Sequence, residues 1–189
     1  TGAGNVAIGA NALDANTTAS NNVAVGHHAL SSNTTGHSSV AMGKDALVSN
    51  TTGVFNTAIG HQALDVCTTQ SFNVAVGSGA LGAINTSANT AVGHNAAHNA
   101  TSAEQLTCIG TDAGQNITTG NSNTCIGRSA GSSLVTGQNN IIIGSGAQAS
   151  ASNQSNQIIL GNSTNDDLRC NDQSISALSD ARDKTDVVD

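Results

Sequence analysis

The chain has 189 residues, with 5 Lys and Arg against 12 Asp and Glu, for a net charge of -7. That balance argues against binding to nucleic acid or to anionic lipid. There is no Pro, Trp or Tyr and only two Phe, so a bulky globular interior is excluded, and stability has to come from repetition and burial between subunits.

From the first residues onward the chain is periodic. Gly9, Gly26, Gly43, Gly60, Gly77, Gly93, Gly110, Gly127, Gly144 and Gly161 are separated by eight steps of 17 residues and one of 16. Such a beat predicts a solenoid in which each repeat is one turn of chain stacked on the last.

Each glycine is preceded by an apolar triplet, Val6-Ala7-Ile8 in the first repeat and Thr124-Cys125-Ile126 in the eighth. The first position is β-branched in every repeat and the last is large and aliphatic, so short strands are expected. In a strand the outer two positions share one face and the Ala/Cys/Ile position takes the other. All three columns are apolar or nearly so, with Thr at the first place of four repeats, so burial is predicted on both sides. The Ala column is expected to point outward and to be covered by identical copies of the chain.

After each glycine comes a residue suited to water (His27, Lys44, His61, Arg128), then, at the third place, Ala in nine repeats. The glycine supplies a tight bend, and the small Ala column implies close approach inside the coil. Asn16-Thr17-Thr18, Asn33-Thr34-Thr35 and Asn50-Thr51-Thr52 read as polar turns. Asn also recurs at the strand start (Asn22, Asn56, Asn73, Asn140), where side-chain amides can hydrogen-bond up the stack. Phe55 and Phe72 share one column and are expected to stack. The fold class is all-β, a parallel β-roll or β-solenoid of about ten 17-residue coils, with a homotrimer as the expected assembly.

Chemistry-bearing residues are sparse. His27, His61 and His94 share a column but stand two or more coils apart, roughly 10 Å, too far for one metal ion. Adjacent His27 and His28 are expected to point to opposite faces. Asp45 and Asp112 also share a column, four coils or ~19 Å apart, beyond the reach of a glycan-cleaving carboxylate pair. Cys108 and Cys125 occupy the buried Ala column and read as small hydrophobes, with Cys67 and Cys170 isolated. No enzyme site, metal site or cofactor is expected in the repeats, and neither is membrane insertion. The chain opens at Thr1 already inside a repeat, as a piece of a longer protein would.

Ten of the 17 charged residues lie from Asp166 onward. The expected division is a repeat domain over 1–161, a transition segment over 162–179 and a distinct element over 180–189. Ser179-Asp180-Ala181-Arg182-Asp183-Lys184 resembles the opening of the auto-cleaving intramolecular chaperone that ends phage tail fibres and tailspikes. The Asn-Thr-Ala-Ile-Gly style of repeat is common in the same fibres, and is similar to the heads of trimeric autotransporter adhesins. The resemblance implies Ser179 as a self-cleaving nucleophile, with Lys184 as its base and the scissile bond before Asp180. The family's chaperone body would follow, and cleavage would remove residues 180–189. It further implies a structural and adhesive role on the virion, in a homotrimeric tail fibre that meets a host cell-surface receptor, glycans included. A bacterial trimeric surface adhesin is the alternative. An ice-binding solenoid is a second one, resting on the Thr18, Thr35, Thr52, Thr69 column, which decays to Thr119 and Gly137.

Overall fold

The computed structural model describes residues 2–165. Ten three-residue strands follow in chain order: β1 Val6–Ile8, β2 Val23–Val25, β3 Val40–Met42, β4 Thr57–Ile59, β5 Val74–Val76, β6 Thr90–Val92, β7 Thr107–Ile109, β8 Thr124–Ile126, β9 Ile141–Ile143 and β10 Ile158–Leu160. They form one parallel sheet in the order β1 to β10. The chain is therefore a parallel β-solenoid, with no helix among the described residues.

Register is set by the repeat: Val6 pairs with Val23 and Ala24 with Ala41, each with its equivalent one coil on. The single 16-residue step keeps register too, with Val74 against Thr90. Between Ile84 and Ala88 three residues stand where the preceding coil has four, between Cys67 and Phe72. The deletion falls in a turn, where it leaves the sheet undisturbed. Backbone bonding between coils continues beyond the strands, as where Leu30 N–H donates to the Ala46 carbonyl at 3.0 Å.

The strand-ending glycine has the predicted role, and Gly60 shows why. Its φ of +136° lies outside what an L side chain adopts, and a Cβ there would sit 2.5 Å from the carbonyl oxygen of Gly77 in the next coil. Coils at strand spacing leave no room for it. Three further positions in the coil hold non-glycine residues at positive φ, such as His28 (58°), Leu30 (53°) and Ser38 (57°). Each left-handed residue breaks the strand alternation and re-aims the chain.

Those turns decide which face is inside, and they correct one sequence expectation. The Ala column is the inner one: Ala24, Ala41, Ala58, Ala75, Ala91, Cys108, Cys125 and Ile142 are fully buried within the chain's own coil. The outer Val/Thr and Ile/Val columns face away from it, half-buried or exposed. The chain after each glycine folds over the middle strand residue, and only a small side chain fits opposite the buried Leu column.

The interior is a set of columns whose volumes compensate. The column of Leu30, Leu47, Leu64 and Leu81 shrinks to Ala97, Gly114 and Gly131. Where the Leu column holds Gly114 and Gly131 the Ala column holds Cys108 and Cys125, and the column of Asn33 and Asn50 holds Ile117 and Leu134. In the coils of Gly114 and Gly131 the larger residues of the neighbouring columns offset part of the lost leucine, as close packing favours.

Two buried Asn columns bond differently. At the strand start the side-chain oxygen of one coil accepts the backbone N–H of the next, with Asn73 N–H donating to Asn56 Oδ1 and Asn89 N–H to Asn73 Oδ1, both at 3.0 Å. The predicted amide stacking is thus mainly amide to backbone in this column. True amide-to-amide bonding occurs in the other, where Asn50 Nδ2 donates to Asn33 Oδ1 at 3.0 Å. That ladder ends where Cys67 replaces Asn, and Asn50 Oδ1 is left buried without a partner.

Candidate functional site

Three surface features are built by the columns. The largest is the outward face of the sheet, two columns wide and ten strands long. It carries Val, Thr, Ile, Met and Leu and no charged residue. Exposure at its most open large side chains runs from 37% at Ile59 to 72% at Ile158. At ~4.8 Å between strands and ~3.3 Å per residue the strip measures roughly 45 Å by 10 Å. A contiguous apolar surface of that extent is what interaction sites present.

A second feature flanks the start of β4 and β5. Phe55 and Phe72 stack with ring centroids 5.4 Å apart and planes at 11°, and His37 meets Phe55 edge-on at 5.3 Å. The stack matches the sequence expectation. Both rings are exposed, at 49% and 60%, and both residues hold left-handed backbone, with φ of 56° and 61°. An aromatic residue in that region is strained by of order 1 kcal/mol or more, a cost that folding alone does not require.

The third lies just past Gly26 and Gly43. His27 and His28 were expected to point to opposite faces, and the structure corrects this: their rings lie 3.8 Å apart at 37°. The positive φ of His28 reverses the alternation and brings both imidazoles to one side. Asp45, the equivalent of His28 one coil on, places Oδ1 3.5 Å from His28 Nδ1. The other nitrogen of that ring meets Asn11, its equivalent one coil back, whose Nδ2 is 2.8 Å from His28 Nε2. Lys44 Nζ lies 2.9 Å from Asp45 Oδ2 and, by that hydrogen bond, holds the carboxyl below its ordinary value, with His28 adding to the effect. Sequence reasoning missed this grouping. The signal was the 17-residue spacing of His28 and Asp45, both second after a glycine.

Elsewhere the carboxylates stand apart, as the column spacing predicted. Asp112 meets His94 Nδ1 at 3.8 Å, four coils from Asp45. Cys67, Cys108 and Cys125 are buried free thiols. Burial pushes Cys67 up to about 11; Cys108 is raised by its contact with Cys125 and by burial. Ser179 and Lys184, the pair implied by the chaperone resemblance, lie outside the described residues, as does Cys170. No helix among the described residues is long and apolar enough to cross a membrane.

No family model matches the chain. No curated protein and no solved structure matches it either.

Proposed function

We propose that the chain is a structural and adhesive segment of a homotrimeric viral tail fibre that takes part in host attachment. The observation that carries the reading is the uncharged outward face of the sheet. An apolar strip roughly 45 Å long is left uncovered by its own coil. Two further copies of the chain are its occupants. Identical strips converging on an axis bury one another along their whole length, and the narrow solenoid gains the thickness it lacks alone. The trimer needs no cofactor, and its surface of Asn, Ser and Thr side chains offers hydrogen bonds to a host-cell glycan or protein receptor.

Assembly and maturation follow the resemblance of residues 179–184 to the chaperone junction. Ser179 acts as the nucleophile and Lys184 accepts its proton, which a desolvated amine can do without histidine. Release of the chaperone leaves a fibre held by its unfolding barrier. Apart from this single self-cleavage the protein is not an enzyme.

The test is absolute mass by light scattering with refractive-index detection, since the chain has no Trp or Tyr, paired with an unboiled SDS gel. A mass three times 18.6 kDa that survives SDS supports the reading, and Ile59→Asp with Ile109→Asp then yields monomers. A monomeric wild type overturns it. Self-cleavage is checked by intact mass of the protein made with its natural downstream sequence, where Ser179→Ala leaves the chain whole.

A further inference from the structure

We propose that His27, His28 and Asp45 form a binding site for a divalent transition-metal ion of the zinc, copper or nickel class. One donor atom from each of the three residues lies within 4.8 Å of the other two. Tetrahedral zinc with bonds of 2.0–2.1 Å needs its ligands about 3.3 Å apart. The side chains have room to close that gap, because His27 is exposed and the His28 and Asp45 side chains are 38% and 18% exposed. Two imidazoles and one carboxylate suit this class over calcium or magnesium, which take oxygen donors. A fourth position stays open to water.

The site is built by the backbone. His28 sits at φ 58°, which places its ring beside that of His27 rather than across the strand. Coil stacking then puts Asp45 next to His28, and the Asp45 N–H donates to the His27 carbonyl at 2.9 Å. Asn11 completes the surroundings. Its amide, 2.8 Å from His28 Nε2, can turn to present either its NH2 or its oxygen, so it supports the ring whether Nδ1 carries a proton or a metal. Lys44 opposes binding, since its ammonium occupies Asp45 Oδ2. The chain carries its own control in the coil of His94, where Asp112 lies 3.8 Å away. There Asn95 stands at the place of His28, and only two donors meet.

The site is independent of the trimer, and its stoichiometry is one ion per chain in either oligomeric state. The experiment is calorimetric titration of the untagged 189-residue chain with zinc sulfate at pH 7.5. Cys170→Ser is included so that no thiol outside the described residues competes. Variants take residues their columns already hold, so the fold is kept: His27→Ser as in Ser78, His28→Asn as in Asn11, Asp45→Asn as in Asn95. One zinc per chain is expected, with affinity at least tenfold lower in each variant, unchanged in His61→Ser and His94→Ser, and higher in Lys44→Ser. Copper(II) loaded at one equivalent shows hyperfine coupling to two nitrogens, reduced to one in His28→Asn. The proposal is overturned if no zinc is taken up at millimolar concentration. It is equally overturned if His94→Ser weakens binding as much as His28→Asn, since uptake would then be diffuse.

Discussion

The Cys108 thiol fills the space a side chain at Gly114 would need: a Cβ there would lie 2.6 Å from Sγ. The same relation recurs one coil on, where a Cβ on Gly131 would meet Cys125 Sγ at 2.5 Å. Loss of a leucine in one column and gain of sulfur in its neighbour are one packing event. Gly114→Leu, which restores the residue of earlier coils, should destabilise the chain by about 1–3 kcal/mol through overpacking. Adding Cys108→Ala and Ile117→Cys recreates the interior of the coil that holds Ala58, Leu64 and Cys67, and should recover most of that loss. Urea midpoints of the single and triple variants check this.

The strand-ending glycines should tolerate no side chain. Gly60→Ala brings a Cβ to 2.5 Å from backbone atoms of Gly77 at a φ of +136°, so neither a rotamer change nor a small shift relieves it. A loss of about 3 kcal/mol or more is expected. Ser78→Ala, in the neighbouring water-facing column, should change the thermal midpoint little.

Asn73 carries both directions of its ladder. Its Oδ1 accepts the Asn89 N–H at 3.0 Å, and its Nδ2 donates to the Thr86 carbonyl at 2.9 Å. Asn73→Ala orphans both groups in a buried place and should cost about 1–3 kcal/mol. Asn99→Ala, whose amide reaches a neighbour more openly on the surface, should cost clearly less in the same denaturant series.

Phe55 and Phe72 are strained by their left-handed backbone, a conformation Asn accepts more easily. Asn21, Asn139 and Asn156 already hold it at the equivalent positions. Phe55→Asn with Phe72→Asn should therefore raise the melting temperature by a few degrees. Differential scanning calorimetry of the double variant checks this.

The buried thiols set an alkaline limit. Burial raises Cys67 from 9.0 to about 11, so the unfolded chain gives up that proton before the native one does. Stability from this group is complete below the unfolded value and is lost as pH climbs from roughly 9 towards 11. Cys108, raised by Cys125 and by burial, adds in the same direction. Cys67→Ala should flatten the decline over that window. In the native protein at pH 8, Cys67, Cys108 and Cys125 should resist a thiol reagent that labels them at once in denaturant.

The 17-residue beat, the strand triplets, the bend at each glycine and the stacking of Phe55 on Phe72 were all legible in the sequence. Each depends on a residue and its equivalent one coil away, a distance the repeat itself states. Which face of the strand lay inward was not legible, because strand alternation extends only as far as the strand. Past Gly26 the left-handed His28 and Leu30 re-aim the chain, so the small column that looked free to face outward is enclosed and the larger Val and Ile columns are left outside. The meeting of His27, His28 and Asp45 has the same origin. Sequence by itself determined the repeat, the strands and the residues that fill each column. Only the tertiary structure decided which columns face one another, since that rests on positive φ values which covalent order alone does not announce.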